Sequence, residues 1–164
     1  MVITAVRTRA ATGIGAMVAL LLVAIFGSPM YVRWVEANTH PDSGGGLFLR
    51  TLAWPRWSLN PNMAVRDVLA DDLKAILLVV FVVVFLALLA GAELGGALGA
   101  VFSGWAAVIF AGALAGLVAS FVAVSAGPFT ALTWALGGAG YGLLVGWIVG
   151  FAQLGAGRRS VREV

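Results

Sequence analysis

Four long apolar stretches alternate with polar segments along this chain. They cover residues 10–28, 73–92, 97–124 and 130–153. A helix needs roughly 20 apolar residues to cross a hydrocarbon core about 30 Å thick, and each stretch has about that length or more. Lipid offers no hydrogen bonds to the backbone, so a helix is predicted even for the β-branched run that begins at Ile76. The pattern predicts an all-α integral membrane protein with four transmembrane helices and both termini on the same side.

The composition agrees with this prediction. Of the 164 residues, 62% are hydrophobic and 10% are charged, and the mean hydropathy is +1.04. Soluble domains are about 45–50% apolar and about 25% charged, so the bilayer must act as the solvent here. We expect one membrane domain over residues 1–164. Its richness in alanine, valine, glycine and leucine, with nine arginines and one lysine, indicates a bacterium of high GC content.

Several kinds of chemistry are excluded by residue content. The chain has no cysteine and a single histidine, His40, which excludes disulfides, thiolate catalysis and a multi-histidine metal site within the chain. Its net charge is only +3 and no basic stripe with interleaved aromatics is present, so no nucleic-acid partner is predicted. We predict no catalytic residues, no metal and no cofactor.

The first apolar stretch has two interpretations. It follows Arg7 and Arg9, as the hydrophobic region of a signal peptide would. The segment from Ile25 to Pro29, however, places bulky residues where a cleavage site needs small ones. We therefore expect an uncleaved anchor.

The orientation of the chain depends on its arginines and its lysine. Basic residues near the spans favour the cytoplasmic side, but the tally is level. Five lie at the two ends, namely Arg7, Arg9, Arg158, Arg159 and Arg162, and five lie in the long loop or at the start of the second span, namely Arg33, Arg50, Arg56, Arg66 and Lys74. Those at the ends form two short clusters. We therefore predict cytoplasmic termini in a bacterial cytoplasmic membrane, with residues 29–72 as one long extracytoplasmic polar loop.

Glycines recur every fourth residue in the fourth apolar stretch. They are Gly138, Gly142, Gly146 and Gly150, and a further pair in the third stretch is Gly112 and Gly116. Residues four apart share a face of a helix, so the glycines form a groove that another helix can approach closely. The pattern predicts a glycine zipper. It fits packing within the chain, and it also fits a face for another subunit.

The long loop is unusually aromatic for a solvated segment. Trp34, Trp54, Arg56 and Trp57 are predicted to contact either the membrane surface or a partner protein. A helix is predicted to begin at Asn60-Pro61 and to continue into the second span. Residues 41–46 are predicted to form a turn or a flexible loop.

Acidic residues are grouped just before the second span. Asp67, Asp71 and Lys74 share a helix face, and we expect only ordinary support of the helix from them. Asp71 and Asp72 are adjacent and point about 100° apart, which argues against a paired carboxylate site.

These features favour a non-catalytic accessory subunit or assembly factor of a larger bacterial membrane complex. Its partners would be the lipid bilayer and other membrane subunits or further copies of itself. Two alternatives remain. One is a small homo-oligomeric channel or permease for a neutral solute, since the glycine faces suit ring assembly. The other is a membrane enzyme acting on lipid-linked substrates, whose candidates would be Arg33, Arg56, Arg66, Asp67, Asp71 and Asp72.

Overall fold

The described part of the chain contains α-helices, joined by short turns and loops, and no strands. This computed structural model describes residues 2–58, 64–89, 96–123 and 127–159, and it describes side chains only between residues 12 and 155, residue 97 excepted. The helices are α1 (Val2–Phe26), α2 (Pro29–Asn38), α3 (Gly44–Leu52), α4 (Val65–Leu89), α5 (Gly96–Ser120) and α6 (Pro128–Arg159). The all-α class is thus confirmed.

Three or four of these elements could cross a membrane. By length and composition α4, α5 and α6 each qualify, and the segment of α1 from Thr12 qualifies when joined to α2 across a 53° bend. The chain is therefore consistent with an α-helical membrane protein. Its outward helix faces carry many exposed leucine, valine and phenylalanine side chains, which suits lipid as the surrounding solvent.

The four long helices form a closed ring in which each packs on two neighbours. Helix α1 contacts α4 and α6, α4 contacts α5, and the most extensive contact joins α5 to α6. Small residues four apart line the inner face of α5, where Ala107, Ala111, Ala115 and Ala119 are completely buried. Larger residues fill the centre from the other helices, including Leu78, Val82, Leu86, Val145 and Val149.

Several helix limits differ from the predicted spans. Helix α5 ends at Ser120, before the predicted limit of 124, because Phe121 and Val122 form tighter i to i+3 hydrogen bonds. Helix α6 begins at Pro128 instead of 130, since proline at the first helical position loses no hydrogen bond. The predicted helix start at Asn60-Pro61 and the predicted end of the second span at 92 lie outside the described residues.

The long loop between the first two spans contains two short helices. Ser28 caps α2 by accepting a hydrogen bond from the Tyr31 N–H at 3.2 Å, and Pro29 occupies the first helical position. Ser43 caps α3 in the same way, accepting from the Gly46 N–H at 3.0 Å.

The predicted turn at 41–46 is therefore too long. Residues 44–46 form the first turn of α3, where a Cβ at Gly46 would clash with the carbonyl of His40. Glycine at this position therefore allows the chain to double back before the helix. We call α2, α3 and the following residues 53–58 the cap, because they lie over one end of the bundle, where α3 contacts α6.

Candidate functional site

The four glycines of α6 lie against α5 of the same chain. A Cβ at Gly138 would clash with the carbonyl of Gly112, and one at Gly142 would lie 2.5 Å from the Ile109 Cα. A Cβ at Gly146 would lie 2.6 Å from the Trp105 ring. At each successive glycine of α6, the contacting residue of α5 has a lower number. The two helices are therefore antiparallel. We call Gly138, Gly142, Gly146 and Gly150 the glycine row; the structure uses it for packing within the chain.

The cap is anchored to the bundle by Trp54. A Cβ at Gly137 would lie 2.6 Å from the indole Nε1, one at Gly138 2.8 Å from Cη2, and one at Gly116 3.0 Å from Cζ2. The indole also stacks on Tyr141, with 6.0 Å between ring centroids. Trp54 therefore occupies a space that exists only because α5 and α6 carry glycine there.

A buried ion pair lies beside this indole. The Lys74 Nζ donates to the Asp71 Oδ1 at 2.7 Å, and the two residues are 4% and 7% exposed. The same Nζ lies 5.3 Å from the ring centroid of Trp54 and 4.9 Å from that of Trp134, both within cation–π distance. Lys74 thus joins α4, the cap and α6. Asp71 and Lys74 form an i,i+3 pair within α4, on the helix face that the sequence predicts for them, and the pair is buried because the cap covers the start of α4.

Arg56 is held more loosely above the pair. Its Nε lies 3.9 Å from the Asp71 Oδ2, and its terminal nitrogen lies 3.9 Å from the Glu36 Oε1. Both distances exceed hydrogen-bond length, and about half of the arginine side chain is exposed. The Arg56–Glu36 pair, whose two side chains are both about half exposed, contributes little to stability.

Arg50 has a structural role at the end of α2. It donates to the Thr39 carbonyl at 2.7 Å and to the Thr39 Oγ1 at 3.2 Å. A cation at a helix C-terminus satisfies carbonyls that lack a helical partner and interacts favourably with the helix dipole. Arg50 therefore ties α3 to α2 and stiffens the cap.

The cap and the bundle enclose a cleft of about 520 Å³. Its charged lining comprises Glu36, Arg50, Arg56, Asp67, Asp71 and Lys74, with Trp54 and Trp134 among the remaining walls. A cleft of this volume could hold a small molecule. Three cations are balanced by three anions, so the lining does not select a ligand of either charge.

The structure separates the residues that the loop sequence brought together. Trp34 is half exposed on α2, whereas the Trp54 ring lies against the glycines of α5 and α6. Trp57 is partly buried, and its backbone N–H donates to the Gly27 carbonyl at 3.1 Å. Arg56 lies at the cleft.

The candidates for an enzyme on lipid-linked substrates do not form one group. Asp67 and Asp71 line the cleft together with Arg56, but Arg33 and Arg66 are exposed and are not part of its lining. Asp72 points elsewhere, as its 100° separation from Asp71 predicts; it accepts a hydrogen bond from the Ser58 N–H at 2.9 Å.

Two features of the site escaped sequence reasoning. The alanine row of α5 has the same four-residue spacing as the glycine row, and this spacing could have identified the inner face. The contact of Trp134 with Lys74 was only weakly indicated by the sequence. A lysine at the edge of an apolar run needs nearby partners, but nothing along the chain indicates which aromatic rings supply them.

The outer surface of the cap exposes large apolar side chains. Arg33 and Trp34 follow Met30 on α2 by three and four residues, so each of them neighbours Met30 on the surface of the helix. Met30 is 78% exposed, and Leu47 and Phe48 of α3 are also exposed.

Comparison with protein-family models, with curated proteins and with solved structures found no match to this chain.

Proposed function

We propose that the protein is a non-catalytic accessory subunit or assembly factor of a larger bacterial membrane complex, and that it contacts its partner through the cap. The observation that carries this proposal is the exposure of Met30, Arg33 and Trp34, where the last two each neighbour Met30 on the surface of α2. Methionine, arginine and tryptophan are enriched in protein interfaces, and arginine and tryptophan often dominate their binding energy.

The rigidity of the cap supports the same role. Trp54 fits into the glycine-lined surface of α5 and α6, and Arg50 closes the C-terminus of α2. A surface that is already ordered loses less entropy when it binds. The cap would therefore present α2 in a fixed position.

The glycine row is not the contact that we propose for a partner. It is buried against α5, so no other helix could reach it without displacing α5. This leaves the cap as the surface through which we propose that the partner is bound.

Site-specific photo-crosslinking tests the proposal. A photoreactive phenylalanine analogue replaces Trp34 in the full chain, and the matched control places it at Leu136, which is similarly exposed on α6. We expect one defined protein adduct from position 34, with the same partner recovered in stoichiometric amount after gentle detergent extraction.

Three results would contradict this proposal. Adducts with lipid alone at position 34 would assign the cap to the membrane surface. An adduct of twice the monomer mass would support the homo-oligomeric alternative. An equal protein adduct at position 136 would show that the reaction is not specific to the cap.

The proposal includes four membrane crossings with cytoplasmic termini. In this arrangement the 25 residues of α1 supply the first crossing without α2, and the cap lies outside the membrane. The chain has no cysteine, so a single Ser43→Cys variant reports on the exposed turn before α3. We expect a membrane-impermeant maleimide to label it in intact cells, and a reporter active only in the periplasm to be inactive after Val164. Labelling only after lysis would reverse the orientation.

A further inference from the structure

A second depression lies outside the bundle, between α1 and α4. It has a volume of about 470 Å³ and is lined by Leu20, Val23, Ala24, Trp57, Asp72, Ala75, Ile76, Val79 and Val80. We call it the α1–α4 groove. With a rise of 1.5 Å per residue, the distance along α4 from Asp72 to Val80 is about 12 Å.

The groove is on the side of the helices that faces lipid. Leu20, Ile76 and Val80 are all exposed, and the two helices that form the walls are apolar over this length. Seven of its nine lining residues are aliphatic. In a bilayer, hydrocarbon chains are the surrounding material at this depth.

One end of the groove is different in character. Asp72 lies there together with Trp57, where residues of the cap meet the start of α4. The Asp72 Oδ1 accepts the Ser58 N–H at 2.9 Å. Within the described part of the chain, no lysine or arginine lies within ion-pair distance of this carboxylate.

A carboxylate and an aromatic ring at the end of an apolar groove suit a cationic amine. The carboxylate accepts a charge-assisted hydrogen bond from an ammonium group, and the indole face attracts the same charge. Trp57 also prefers the headgroup level of a bilayer, where such an amine would be found. A lipid carries the amine and the hydrocarbon chain in one molecule.

We propose that the α1–α4 groove binds one acyl chain of a lipid with an amine-bearing headgroup, whose ammonium group faces Asp72 and Trp57. This site includes Trp57 of the cap but none of the exposed residues of α2, so it does not depend on the proposed accessory function. The aliphatic walls of the groove contact the acyl chain of the lipid, and Asp72 at its end selects the headgroup.

Native mass spectrometry of the full-length protein tests this assignment. The protein is delipidated in mild detergent and then given an equal mixture of phosphatidylethanolamine and phosphatidylglycerol with identical acyl chains. We expect bound phosphatidylethanolamine to exceed bound phosphatidylglycerol in the wild type. Asp72→Asn should reduce this preference about fivefold, which is the effect of a partly exposed ion pair. The asparagine oxygen can still accept the Ser58 N–H.

A matched carboxylate on the same helix is the control for charge. Asp67 lines the cleft under the cap, so Asp67→Asn should leave the lipid preference unchanged. An equal preference in the wild type and Asp72→Asn would overturn the proposal. So would an equal loss in Asp67→Asn, because it would indicate a general effect of net charge.

Filling the groove tests the acyl-chain contact separately. Val79→Trp should lower the amount of either bound lipid several-fold, and Val83→Trp, at a position of α4 outside the lining, should not. Val80→Trp is a second blocking variant at an exposed position of the lining. Circular dichroism of each variant confirms that it is folded. Unchanged lipid retention in folded Val79→Trp and Val80→Trp would overturn the assignment of the groove.

Discussion

Replacing Lys74 with methionine should destabilise the protein, although methionine is apolar and of similar length. Lys74 is the only lysine of the chain, and its ammonium group is buried beside the Asp71 carboxylate. The substitution leaves that carboxylate buried with one remaining cation, Arg56, at 3.9 Å. The decrease in the free energy of unfolding therefore comes mainly from a buried negative charge that has lost its closest cation, and not from lost packing.

The magnitude follows from the two distances. With an effective dielectric constant of about 20, charges 2.7 Å apart attract by about 6 kcal/mol, and charges 3.9 Å apart by about 4 kcal/mol. Desolvation of both groups offsets much of this attraction, and breaking a buried pair costs about 3–5 kcal/mol net. Because Arg56 still compensates part of the charge, we expect Lys74→Met to lower the free energy of unfolding by about 3 kcal/mol.

The double variant separates charge from packing. Removing both charges in Asp71→Asn/Lys74→Met leaves no buried ion, so its free energy of unfolding should lie within about 1 kcal/mol of the wild type. The measurement is an equilibrium titration of the full chain from mild detergent into sodium dodecyl sulfate, followed by circular dichroism.

An exposed cation on the same helix is the control. Arg66→Met should change the free energy of unfolding by less than about 0.5 kcal/mol. The reasoning is refuted if the free energy of unfolding of the double variant falls by the sum of the decreases measured for Asp71→Asn and Lys74→Met alone. Additive decreases would mean that the two charges act independently.

The same titration checks two packing predictions. Gly138→Ala should lower the free energy of unfolding by about 1–3 kcal/mol, since its Cβ would overlap the Gly112 carbonyl. Gly140→Ala, with open space around its Cβ, should be neutral or stabilising by up to about 1 kcal/mol; equal losses at both positions would contradict the close contact. Trp54→Ala should cost about 3 kcal/mol by emptying the glycine-lined space, whereas Trp147→Ala, half exposed on α6, should cost less than about 1 kcal/mol. A larger loss at Trp147 would show that Trp54 is not the anchor of the cap.

The short helices of the cap show how far local signals reach. Ser28-Pro29 and Ser43 are standard helix starts, yet the apolar pattern of the neighbouring span concealed the first, and three glycines concealed the second. Both N-terminal capping hydrogen bonds join residues three positions apart in the sequence, so local sequence signals were sufficient to predict them. The 53° bend between α1 and α2 then follows from the break at Gly27 and Ser28.

The sequence by itself determined the helical class, the apolar spans and the presence of a close-packing face on α6. Each of these depends on neighbours in the chain, because transfer into lipid is summed along a segment and a four-residue spacing places side chains on one face. Tertiary structure alone decided that α5 occupies the glycine row. It also decided that Trp54 fills the adjoining space, and that Asp71 and Lys74 are buried while Asp72 faces a different groove. Those outcomes depend on which surfaces meet, and the energy of a glycine groove or a buried charge is set by a partner that is distant along the chain.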